Sequence, residues 1–211
     1  MRGLLLKDFY NISKLGKQYA VIFLVMTVWA YFMKNPSFIC LYAILCTANL
    51  VLSSLSFDEN AKFDKYVLTM PVKKELLVQE KYVLMFLLVG FGTICGILLA
   101  QIMNLMIPTE DFVGMAVSAL AIAVFFLISH SLIFPKIFRE GVEKARIPLI
   151  GIYMLIFAVV YLGVKYLQEN AILKLILENP WLALAGLLLL TAGVIAVSYK
   201  RSIKVIREKE W

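Results

Sequence analysis

Charge is scarce in this chain, and it is missing from whole stretches. Only 17% of the residues are charged while 62% are hydrophobic, against about 45–50% apolar in soluble domains. An apolar excess gathered into long unbroken runs excludes an ordinary soluble domain and points to a membrane. Histidine occurs once, at His130, so a metal centre is poorly supported. Cysteine occurs three times, and Cys40, Cys46 and Cys95 all lie inside apolar runs. They read as small packing residues and not as a disulfide framework. The phosphate-cradling pattern G-x-x-x-x-G-K-[ST] is absent, so any ATP used would be bound by another polypeptide. The opening MRGLLLKDFYNISKLGKQ has too short a leucine run for a secretory leader, and neither end carries a lipidation box. No cleavable leader and no lipid anchor are expected.

What is present is a series of apolar segments, each close to the roughly 20 residues a helix needs to cross hydrocarbon. Six are expected to span, at residues 18–33, 37–57, 82–107, 111–134, 148–163 and 180–199. Proline marks the joints: Pro36 and Pro108 between spans, Pro135 closing the fourth, Pro148 and Pro180 opening the last two. The fold expected is therefore all-α, a single integral membrane domain over residues 1–211. Of the 21 lysines and arginines, only Lys34, Lys165 and Lys174 fall on the side opposite the termini. The positive-inside rule then places both termini in the cytoplasm. Residues 3–15 put Leu5, Phe9 and Ile12 on one helical face and Lys7 and Lys14 on another, as in a helix lying on the inner membrane surface. Residues 165–179 are too short and charged to cross again and are expected on or in the outer leaflet.

Within these span boundaries no Asp, Glu, Lys or Arg lies deep, which argues against a proton-coupled transporter or a carboxylate-based intramembrane enzyme. His130 could gate or touch a substrate; the plainer reading is a hydrogen bond to a neighbouring helix. Ser129 and Ser131 flank it, but adjacent helix positions point apart and make no nucleophile–base pair. Asn49, Gln101, Asn104 and His130 are the candidate path-lining residues. Thr47 joins them among the mid-span polar groups, which are more often interhelical partners. Gly92 and Gly96 make a small-xxx-small pair for close packing, within the chain or against a second subunit.

The stretch FDENAKFDKYVLTMPVKKELLVQEKYV, residues 57–83, is different. Asp58, Glu59, Asp64, Glu75 and Glu80 stand among Lys62, Lys65, Lys73, Lys74 and Lys81. A calcium loop is excluded, because Lys62 takes a ligand position and no glycine follows. Residues 59–68 favour a helix, with Phe63, Tyr66 and Val67 on one side, and Thr69-Met70-Pro71 breaks it. A short amphipathic helix held below the membrane by two spans offers a partner a grip. It could equally be a solvated loop of balanced charge.

This stretch resembles the cytoplasmic loop of ABC-2-type permeases, the membrane subunits of bacterial ABC exporters. Asp58-Glu59, Phe63, Tyr66, Met70-Pro71, Lys73-Lys74 and Lys81-Tyr82 occupy the places of that family's acidic pair, aromatics, proline, basic residues and KY. Phe63 stands where tryptophan is common and Met70 where leucine is. LLLKDFYNI resembles the family's N-terminal interfacial helix. The resemblance implies a coupling helix near residues 60–72 that docks a separate cytoplasmic ABC ATPase. Asp58, Glu59, Phe63, Asp64, Tyr66 and Pro71 are the docking residues on that basis. It implies ATP and magnesium on the ATPase, none on this chain, and no catalytic residue here. It implies pairing with a second copy or a related permease in the bacterial cytoplasmic membrane, among lipid and without nucleic acid. An apolar path suits an amphipathic peptide or other hydrophobic cargo. The competing readings are a non-transporting membrane protein, such as an immunity or envelope-stress factor, and, last, an intramembrane enzyme.

Overall fold

Backbone N–H and C=O groups find no water in hydrocarbon, so apolar runs of this length close their hydrogen bonds internally, as helices. The computed structural model describes residues 2–67, 74–106, 111–167 and 180–208, and the described residues form eight helices. They are α1 (Arg2–Ser13), α2 (Gly16–Met33), α3 (Ser37–Asn60), α4 (Phe63–Val67), α5 (Lys74–Met106), α6 (Phe112–Glu140), α7 (Val142–Leu167) and α8 (Pro180–Glu208). Six of them are long and apolar enough to cross a membrane: α2, α3, α5, α6, α7 and α8. Pro71 and Pro108 lie outside the described residues, as does the 168–179 part of the segment expected at the outer leaflet.

Most helices outrun the apolar segments that announce them. α3 continues to Asn60, α5 begins at Lys74, α6 reaches Glu140 and α8 reaches Glu208. Lysine, glutamate and arginine are good helix formers, so a helix need not stop where the hydrocarbon does. The expectation for Pro135 and Pro148 is corrected on the same ground. Both lie inside helices, α6 and α7. Proline at 135 has no N–H for the carbonyl of Ser131, one turn earlier. The hydroxyl of Ser198, on α8, donates to that carbonyl instead. Its single proton is then spent, so Tyr82 Oη donates to Ser198 Oγ at 2.7 Å, and Ser202 Oγ donates to Tyr82 Oη at 3.1 Å. The proline is tolerated because a neighbouring helix repairs the backbone.

α3 and α5 form the most extensive helix pair, followed by α6 and α8. Glycines set the first pairing. A Cβ on Gly92 would collide with Thr47 Oγ1, and one on Gly96 would stand 3.0 Å from Cys40 Cα. The small-residue pair therefore packs within the chain, α5 on α3. The core runs through Ile44, Val51, Leu84, Met85, Ile133 and Phe134. A second cluster around Ile39, Cys40, Met103 and Met115 closes the other end. α2 leans on α3, and α7 on α6 and α3, with most of their apolar side chains facing outward.

Candidate functional site

The α1 end of α3, α4 and the start of α5 bring the charged stretch together, and its charges divide into two sets. One set is internal. Lys81 is 4% exposed and stands at the centre. Its Nζ lies 2.5 Å from Asp8 Oδ2, 2.6 Å from Asp58 Oδ2, 3.1 Å from Ser54 Oγ and 3.6 Å from Glu80 Oε1. Lys7 of α1 pairs with Asp58 and lies 3.1 Å from Asp8 Oδ1. α1 is thus clamped to α3 and α5 by buried ion pairs. Burial alone would raise the Asp8 carboxyl. A hydrogen bond to Glu80 and the charges of Lys81 and Lys7 outweigh it and lower the pKa from 3.8 to about 2.

The second set looks outward. Glu75 pairs with Arg207 of α8 at the exposed surface. α3 ends at a turn in which Lys62 takes a left-handed conformation, φ 50°, and α4 leaves from there. Phe63 and Tyr66 lie together, ring centroids 6.3 Å apart. Lys7 Nζ sits 3.6 Å from the centre of the Phe63 ring, a cation–π contact that ties α4 to the same clamp. Tyr66 is 58% exposed.

The expected docking residues therefore fall in different places. Tyr66 is open and Phe63 half-buried. Asp58 is buried in the clamp. Glu59 accepts a hydrogen bond at 2.7 Å from the Val142 N–H, capping the start of α7. The Asp64 side chain and Pro71 lie outside the described residues. Asp58, Glu80 and Lys81 find their ion-pair partners inside the chain. Sequence reasoning missed Asp8. Its only signal was a lone carboxylate on the apolar-to-basic border of an amphipathic helix.

The four candidate path-lining residues are not gathered around the largest described cavity. That cavity, of 650 Å³, lies between α1, α3 and α5 and is lined by Phe9, Ile12, Leu50, Phe86 and Phe91 among others. Asn49 donates to the Leu45 carbonyl of its own helix at 2.9 Å. His130 is fully buried; its Nδ1 lies 3.0 Å from the Phe126 carbonyl, and its ring sits beside Phe126 and Tyr153. Gln101 and Asn104 are half-buried on α5.

The model of the ABC-2 family transporter proteins matches residues 3–207. The chain belongs to the ABC-2 transporter family. No curated protein gives a significant match. The family match reaches from α1 into α8, starting one residue after α1 begins and ending one residue before α8 ends. An ABC-2 protein is a multi-pass membrane component of a transporter and is not itself the catalytic subunit. That sets the non-transporting and enzymatic readings aside.

Proposed function

We propose that this ABC-2 protein is the membrane subunit of an ATP-driven exporter. It sits in the bacterial cytoplasmic membrane with both termini inside and works as a dimer, with a second copy or a related permease. A separate cytoplasmic ABC ATPase binds ATP and magnesium and docks on α4 and the residues that follow it. The observation that carries the reading is the family match over residues 3–207. The exposed Tyr66 beside Phe63 supports α4 as the grip. An exposed aromatic beside a second one is the kind of side-chain pair that anchors interfaces. Movement of the ATPases would reach the spans through α4, Lys7 and the clamp. A path without fixed charge deep in the spans suits an amphipathic peptide or hydrophobic cargo.

Co-purification in mild detergent with an ABC ATPase encoded beside this gene tests the reading. The wild type is expected to retain the ATPase near one to one. Phe63→Ala with Tyr66→Ala is expected to lose it while still folding. A wild type that binds no such ATPase would sink the proposal.

A further inference from the structure

The buried clamp has an unbalanced ledger of charge. Asp8, Asp58 and Glu80 are its acids, and Lys7 and Lys81 its bases. With every group ionised, one negative charge is left over. Asp8 is 0% exposed and Glu80 1%. An uncompensated charge held out of water is strongly unfavourable. Two acceptor atoms are also poorly served. Asp8 Oδ1 and Glu80 Oε1 are both buried and complete no hydrogen bond, with only the shared ammoniums of Lys7 and Lys81 at 3.1 Å and 3.6 Å. Both carboxyls face the same ammonium, Lys81 Nζ, at 2.5 Å and 3.6 Å. Ionised carboxylates only accept, so such a pair can bond only across a proton.

We propose that Asp8 and Glu80 form a binding site for a single proton, shared between the interfacial helix and α5. The proton supplies the missing positive charge and gives both poorly served oxygens a partner. Among the described residues, the groups facing the pair are Lys7 on α1, Ser54 and Asp58 on α3, and Lys81 on α5. Lys7 and Lys81 are already committed to Asp8 and Asp58, which leaves the proton to close the balance. The site is separate from the aromatic surface of α4 and does not depend on how the ATPase docks. Its loss would leave three carboxylates around two lysines and weaken the seat of α1.

Thermal unfolding in detergent, followed from about pH 6 to about pH 9.5, below the range in which lysines ordinarily titrate, tests the site. The wild type is expected to lose roughly 5 °C of melting temperature as the proton leaves. Glu80→Gln keeps a neutral donor in place and is expected to hold its melting temperature across the range. A second readout needs no variant. The infrared spectrum of the wild type is expected to show a protonated carboxyl stretch at neutral pH, which disappears over the same alkaline interval. A wild type whose melting temperature is flat over this range would overturn the proposal. So would a Glu80→Gln protein that keeps the alkaline fall, or a neutral spectrum without the carboxylic acid band.

Discussion

Lys81 ties three elements together, since its ammonium meets acids from α1, α3 and α5. Replacing it leaves buried carboxylates facing one another. Lys81→Met is expected to destabilise the protein by about 3–5 kcal/mol, read as a fall in melting temperature. Asp8 adds an acid-side dependence. Its folded pKa is about 2 against an ordinary 3.8, so its contribution is complete above 3.8 and drains away as pH falls towards 2. Asp8→Asn is expected to flatten that acid limb of the melting-temperature profile. At this scale the sequence was half legible. Lys81 and Tyr82 stood out as the KY leading into a span, yet their physical roles did not. Hydropathy sorts charges into stretches, and the stretch around Lys81 reads as solvated. What buries Lys81 is Asp8, 73 positions away, and no local pattern joins the two.

Helices were far easier to read than side-chain partners. Each apolar run became a helix, because hydrocarbon leaves the backbone no alternative. Helix ends were misjudged where charged helix formers carry the element into water, and prolines were misjudged because repair from another helix cannot be seen locally. Pro135 gives a sharp test of that repair. Ser198→Ala is expected to cost about 1 kcal/mol with Pro135 present, since the Ser131 carbonyl then has no donor. In a Pro135→Ala background, where the backbone N–H returns, the same change is expected to cost far less. A double-mutant cycle by thermal unfolding reads the difference. α5 carries a second test. Gly92→Val must push α5 off Thr47 and is expected to lower the melting temperature sharply, while Gly90→Val, with open space around it, is expected to have little effect.

For the whole molecule, the surface left by packing is apolar, with Val25, Trp29, Phe32, Met154, Phe157 and Val160 all more than half exposed. Lipid or a second subunit suits such a face. Orientation is checked by labelling. With an impermeant maleimide, Met33→Cys is expected to react on intact cells and Lys204→Cys only after permeabilisation; the reverse would overturn the proposed topology. The six long helices could be read from apolar runs, whereas the division of labour within residues 57–83 needed three-dimensional neighbours. Glu59 shows what that division entails. Its carboxylate caps α7 by filling the space where a side chain at position 141 would stand, and Gly141 there has φ +92°. A Cβ at position 141 would collide with the Glu59 carboxylate, so the two residues exclude larger neighbours at each other's place. Among related chains the two positions should therefore change in concert: a bulkier residue at 141 ought to arrive together with loss of the acid at 59, leaving a statistical trace in aligned sequences that marks the contact without any coordinates.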